Sequence, residues 1–415
     1  MSQTTDRTPR STRPQQPTRM SALALVCTLA AGAALATPAV ALAAGRGQDH
    51  GPGSRPRTDV VQQALDRLVD EHGVPAALAN VTDRRGRERD LVAGAGDLAT
   101  GEPVPVDGQV RAGSNSKTFV AAVVLQLVGE GRVDLDASVE TYLPGVVRGP
   151  VDGHDITVRD LLQHTSGIGS FTDGPPFVVD GVPALRALKD RYMEPHELVA
   201  LGLALPPTPP GAWSYSNTNY VLAGLLVQKV TGRPLGEVVT DRIIEPLGLT
   251  GTYVPARGER AIRGEHPSGY HAEPIGSALF EHTDIDTSSS WGAGDVVTTP
   301  GDLSTFFRAL LAGEVLRPAE LEQMKATVPM DLPGIPETWR YGLGLQSTEL
   351  SCGELAWGHG GIIPGYQTDG GVTEDGRAIM VATTTAHFAL PTDTGVAVSD
   401  EVLALVDTVL CSGRS

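Results

Sequence analysis

Strand-like runs stand at both ends of this 415-residue chain, and helical periodicity fills the space between them. That order brings the termini together in one antiparallel sheet with covering helices and leaves the middle as a helical body beside it. Near the start, Val60, Val61, Leu65, Leu68 and Val69 form a helical stripe over 59–70, capped by Thr58 or Asp59. Residues 75–82 and 89–96 read as a hairpin around Asp83-Arg84-Arg85-Gly86. From Ser114 to Val128 runs a long apolar helix (Phe119, Val120, Val123, Val124, Leu127), stopped by Gly129 and Gly131. Helical patterns recur at 158–163, 197–203, 220–231, 235–244 and 300–311; strand patterns follow at 341–348, 366–373 and 377–384, and a helix at 399–410 closes the chain. The expected class is α/β of the α+β kind, with a mainly helical region over about 118–300.

Residues 1–44 read as a secretory leader: Arg7, Arg10, Arg13 and Arg19 precede an apolar run from Ser21 to Ala36, and Ala41-Leu42-Ala43 offers a cleavage site. A retained membrane anchor is the rival reading, since the apolar stretch is about long enough to cross a bilayer. Residues 45–57 form a Gly/Pro/Arg-rich linker without periodicity, so folding is expected from 58 to 411. Losing the leader removes four Arg and one Asp and moves the net charge from -17 to -20. Such an acidic surface disfavours nucleic acid and anionic lipid as partners. Only Cys352 and Cys411 then remain, and an even cysteine count in an exported chain implies a disulfide, two buried thiols being the alternative.

Three short segments carry chemistry. In Ser114-Asn115-Ser116-Lys117 the Ser and Lys are three apart at a helix start, on one face and within reach of each other. An ordinary capped N-terminus would look the same, but only four of the 32 basic residues are lysine, and Lys117 alone has a Ser three positions before it. Arginine cannot act as a base, whereas a desolvated lysine can. Tyr215 and Asn217 lie two apart in Trp213-Ser214-Tyr215-Ser216-Asn217 and, in an extended segment, project to one side. A phenol beside a lysine can relay a proton and an amide can orient substrate; taken alone the segment is a surface turn. His359 stands among glycines in Gly358-His359-Gly360-Gly361-Ile362, where a substrate backbone could approach closely. Gly94-Ala95-Gly96 imitates a dinucleotide fingerprint but has Thr100-Gly101-Glu102-Pro103 where a helix must start, so it is a strand end. With no G-x-S-x-G, H-E-x-x-H or cysteine-ligand cluster, alpha/beta-hydrolase and zinc-protease readings lack their central residues.

These segments together resemble the serine beta-lactamase and penicillin-binding protein superfamily, on the branch of class C beta-lactamases and secreted D-alanyl-D-alanine carboxypeptidases. S-x-x-K stands as Ser114-x-x-Lys117, Y-x-N as Tyr215-x-Asn217, and H-x-G as His359-x-Gly361, in that order. The segment Leu161-Leu162-Gln163-His164-Thr165-Ser166-Gly167 extends the likeness, with His164 as a structural residue beside the cleft. The resemblance implies a beta-lactamase/transpeptidase-like fold over about 58–411 and acylation of Ser114. Lys117 and Tyr215 would manage protons, the order of their roles being open. Asn217, His359, Gly360, Gly361 and Ile362 would bind substrate, with the backbone N–H groups of Ser114 and Ile362 as the oxyanion hole. No metal and no cofactor is implied; beta-lactams would be inhibitors. His359 replaces the commoner Lys, with a charge that depends on pH near neutrality.

D-alanyl-D-alanine carboxypeptidase action on peptidoglycan peptides leads among the activities implied. Threonines after the His and after the second Gly, with an upstream Arg, would hold a terminal carboxylate; here those positions are Gly360, Ile362 and Gln346. An esterase, D-amino-acid amidase or beta-lactamase on the same scaffold is therefore a close rival. A binder that acylates without turnover is a third reading, and intact Lys117 and Tyr215 speak against it.

Overall fold

A computed structural model describes residues 59–179, 181–330 and 337–412, so the leader, the linker and Thr58 lie outside the described residues. The two chain ends do meet in one sheet. Among the described residues it has nine strands, in the order Glu88–Gly94, Ala76–Thr82, Ala378–Thr383, Tyr366–Val372, Leu355–Gly358, Gln346–Glu349, Arg340–Tyr341, Val328–Pro329. The ninth, Gly361–Ile363, pairs only with Tyr366–Val372, antiparallel, Ile362 opposite Gln367. It therefore presents a free edge to whatever lies beside it.

Helix Val60–Asp70 begins where expected, Asp59 capping it by accepting from Val61 N at 3.1 Å. Its buried Val61, Leu65 and Leu68 pack with Val398, Val402 and Leu405 of the last helix, Thr392–Cys411, so both terminal helices share one face of the sheet. Helix Pro300–Leu311 covers the other face and joins the larger core of the helical body, where Phe119 and Phe306 stack at 3.9 Å. Cys352 and Cys411 form a disulfide with Cα atoms 5.8 Å apart. Closing that loop stabilises the fold by about 4 kcal/mol through the entropy it removes from the unfolded chain.

At the centre of the helical body lies helix Ser116–Gly129, apolar on every side and buried nearly throughout, as a helix enclosed by others must be. Helices Asn217–Thr231, Leu235–Val239 and Pro318–Lys325 pack against it, Val158–Gln163 and Pro195–Leu203 pack on Asn217–Thr231 in turn, and among the described residues three two-stranded sheets interrupt the helical region.

The last helix starts at Thr392, seven residues before the expected 399, and two further details depart from expectation. The run at 341–348 is a hairpin of two strands, with Tyr341 opposite Gln346. Gly344 at its turn has φ of +73°, and its carbonyl accepts from Thr118 Oγ1 at 2.7 Å; a Cβ there would lie 2.6 Å from Ala121 Cβ and from the Tyr220 hydroxyl. Contact with the central helix thus folds the run back on itself. The other departure is at Tyr215 and Asn217, which do not share an extended segment: Asn217 is the first residue of helix Asn217–Thr231 and only the residues before it are extended.

Candidate active site

Ser114 sits on a 3-10 turn, Gly113–Asn115, that feeds directly into helix Ser116–Gly129. From Gly108 to Leu125 every other residue is buried; Ser114 alone is partly exposed, so the turn aims one hydroxyl at the cleft. One helical turn on, Lys117 is fully buried. Its ammonium has three donors, and three acceptors surround it: Ser114 Oγ at 2.9 Å, Asn217 Oδ1 at 2.8 Å and the Ala293 carbonyl at 2.7 Å. The Tyr215 hydroxyl donates to Ser114 Oγ at 2.8 Å, and the Tyr215 ring centroid lies 4.9 Å from Lys117 Nζ. Ser114, Lys117, Tyr215 and Asn217 thus converge, although two segments about a hundred residues apart supply them.

Burial holds Lys117 well below the usual lysine range, with a carboxylate, Asp295, acting in the opposite sense. A buried lysine gives up its proton more readily than one in water because its charged form has lost hydration. The arrangement supports two proton states. With Lys117 charged, Ser114 Oγ accepts from it; with Lys117 neutral, its lone pair can accept the Ser114 proton while Tyr215 still donates to the same oxygen. The second state is a nucleophile beside a base.

The helix start that carries Asn217 is held by side chains from the neighbouring loop. Asn217 N donates to Ser170 Oγ at 3.1 Å and Asn217 Nδ2 donates to Thr172 Oγ1 at 3.1 Å. His164 is fully buried behind Tyr215, their rings 4.4 Å apart, and its Nδ1 accepts from Ser216 N at 3.2 Å. Its place beside the cleft is the one expected from sequence.

The free-edged strand Gly361–Ile363 forms the opposite wall. Asn115 Nδ2 donates to Thr368 Oγ1 at 2.8 Å, and Thr368 Oγ1 donates to the Ala112 carbonyl at 2.9 Å, pinning the sheet to the Ser114 turn. Contact is close because both sides lack side chains. A Cβ on Gly113 would lie 2.5 Å from Ile362 N, and one on Gly361 would lie 1.9 Å from the Ala112 carbonyl oxygen. Gly361→Ala must therefore push the strand away from Ser114. A displacement of about 1 Å costs roughly 100-fold in rate, so kcat/KM should fall by about that factor with thermal stability of the helical body retained. Activity within threefold of the wild type would show that the strand does not position the reaction.

His359 requires a correction. It is buried, and burial together with the nearby Lys117 pushes it down to about 3, against the pull of the Gly360 carbonyl. Tyr341 donates its hydroxyl to Nε2 at 2.9 Å and Nδ1 donates to the Gly360 carbonyl at 2.6 Å, which satisfies one acceptor and one donor of a neutral ring. The ring is neutral at pH 7, not poised near neutrality. Gly360 and Ile362 are partly exposed on the cleft wall, and the upstream Gln346 accepts from Gly360 N at 3.4 Å.

Sequence reasoning missed the Ala293 carbonyl, Asp295, Ser170, Thr172 and Tyr341. Asp295 left one trace, a lone acid inside the otherwise neutral run Trp291-Gly292-Ala293-Gly294-Asp295-Val296-Val297. No group of His, Cys, Asp and Glu among the described residues is arranged to hold a metal ion.

The family model of the beta-lactamases matches residues 61–399. A D-stereospecific amidohydrolase from a Streptomyces species has a similar structure, with 36% identity and a TM-score of 0.74 over 85% of this chain and 98% of the other. The D-amino acid amidase of Ochrobactrum anthropi SV3 follows at 26% identity and a TM-score of 0.69, over 84% and 99%. By sequence, a Bacillus subtilis protein designated as a penicillin-binding protein, PbpX, is 28% identical over 65% of this chain and spans 60% of its own length. Fold, motif geometry and these likenesses agree: the chain belongs to the beta-lactamase family, within the serine beta-lactamase and penicillin-binding protein superfamily of serine hydrolases.

Proposed function

We propose that this protein hydrolyses amide or ester bonds at D-configured residues through an acyl-Ser114 intermediate, without requiring a free terminal carboxylate on its substrate. Lys117 takes the Ser114 proton, and Tyr215 passes a proton to the leaving group and later accepts one from water. Backbone N–H groups of Ser114 and Ile362 hold the developing oxyanion, each worth roughly 3 kcal/mol.

One observation carries the substrate reading: the cleft wall where a carboxylate would be gripped offers Gly360, Ile362 and Gln346, beside a His359 that burial keeps neutral. The Streptomyces amidohydrolase and the Ochrobactrum amidase, alike over nearly their whole lengths, support the same direction. D-alanyl-D-alanine carboxypeptidase action is the second reading, favoured by the likeness to a penicillin-binding protein. Export by the leader at 1–44 belongs to the proposal, and the Cys352–Cys411 disulfide supports it, since such bonds persist in oxidising compartments.

The test is turnover of a matched set: a D-amino-acid amide and its L enantiomer, a short acyl ester, nitrocefin, and a D-Ala-D-Ala peptide with its terminus free or amidated. The D-amide and the amidated peptide should be hydrolysed at least as well as the free-carboxylate peptide. Selective hydrolysis of the free-carboxylate peptide would overturn the reading and restore the carboxypeptidase.

A further inference from the structure

The three acceptors around the Lys117 amine are all neutral. A fully buried ammonium with only dipoles about it is costly, and buried charges are ordinarily paired. The carboxylate that acts on Lys117, that of Asp295, lies on a neighbouring segment. Residues 293–296 run against the S-x-x-K turn and are fastened to it at three points: the Ala293 carbonyl accepts from Lys117 at 2.7 Å, Val296 N donates to Ser116 Oγ at 3.0 Å, and Ala112 N donates to the Val296 carbonyl at 2.9 Å. Asp295 falls between these fastenings and is 5% exposed.

We propose that Asp295 is a positioning residue for catalysis: the buried counter-charge that keeps Lys117 protonated in the resting site and sets the pH at which Lys117 becomes free to accept the Ser114 proton. The proposal rests on the reading of Lys117 as proton acceptor. The step itself is a single transfer, from Ser114 Oγ to Lys117 Nζ; Asp295 stays a carboxylate throughout and exchanges nothing.

Other groups around Lys117 do not compete for this role. His164 and His359 are both held neutral by burial, and repulsion from Lys117 adds to the effect. Tyr220, its ring 5.6 Å from Nζ, is pushed well above the usual phenol range by burial and stays uncharged. Tyr215 donates to Ser114. Burial pushes Asp295 up to about 6, with hydrogen bonds from Gly292 N and its own N and the charge of Lys117 pulling the other way, so a protonated Lys117 favours its carboxylate form. Removing a negative charge disfavours the protonated amine, so Lys117 would lose its proton at lower pH.

The test compares wild type with Asp295→Asn, which keeps an acceptor for the Gly292 N–H. Because the chain has just four lysines, the Lys117 midpoint can be followed directly by NMR of labelled lysine side chains, with the acid limb of kcat/KM measured in parallel. Both should move down by about one pH unit. An unchanged Lys117 midpoint overturns the proposal. A midpoint that moves while the acid limb stays fixed upholds the counter-charge and instead sinks Lys117 as the proton acceptor. Should the Asn variant not fold, Asp295→Ser gives the same readings, since it too removes the charge and retains an acceptor.

Discussion

Lys117→Arg should lower kcat/KM by roughly 1,000-fold or more, within the range that a positioned general base contributes, although it conserves charge and approximate length. Two physical causes act together. The Lys117 pocket matches a small tetrahedral ammonium, with acceptors at 2.9, 2.8 and 2.7 Å and the Tyr215 and Tyr220 rings at 4.9 and 5.6 Å. A planar guanidinium with five donors cannot meet those acceptors without displacing Asn217 or Ser114. Beyond fit, arginine keeps its proton at any pH a folded protein survives, so the state in which Ser114 gives its proton to a neutral neighbour disappears. Single-turnover acylation, followed by stopped flow with an activated ester, isolates the affected step. Acylation within tenfold of wild type would mean that Lys117 serves only as a fixed charge.

The same pocket shows why part of the site was legible in the sequence and part was not. Ser114 and Lys117 are one helical turn apart, so local spacing alone puts them on one face. Tyr215 and Asn217 were readable as a motif, but their spacing suggested an extended pair where the structure starts a helix at Asn217. The third acceptor of Lys117 is a main-chain carbonyl, at Ala293, which no side-chain pattern can mark. Asp295 is 178 residues from Lys117 in sequence, and its influence comes from burial and from segment packing, neither of which has a local period. His359 fails for a related reason: its identity suggests a group that titrates near neutrality, while its environment decides that it does not.

The fold divides along the same line. Helices 158–163 and 300–311 were placed to the residue because an apolar face repeats within each segment. Strands Leu355–Gly358 and Gly361–Ile363 escaped because they are three or four residues long and meet at the glycine cluster Gly358-His359-Gly360-Gly361, which sequence reads as turn. Yet Gly361 is there because the strand must touch the Ser114 turn, a contact made between positions 247 residues apart. Short glycine strands are legible only once their partner is known.

Ser114→Ala removes the one hydroxyl that the turn exposes to the cleft and that both Lys117 and Tyr215 address. Without it no acyl-enzyme can form. Whatever hydrolysis survives must come from water attacking a substrate held in the intact cleft, a residual contribution roughly 10³-fold to 10⁴-fold over solution in related serine chemistry. Folding should be retained, since Lys117 keeps two of its three acceptors, Asn217 Oδ1 and the Ala293 carbonyl, and the vacated position of the partly exposed Ser114 is open to cleft water. The most direct measurement is intact mass after incubation with an activated acyl ester, quenched in acid, and with a penicillin in parallel. The wild type should gain a single acyl group that maps to the peptide containing Ser114, and the alanine variant should gain none; a variant that acquires the same adduct as the wild type would place the nucleophile elsewhere.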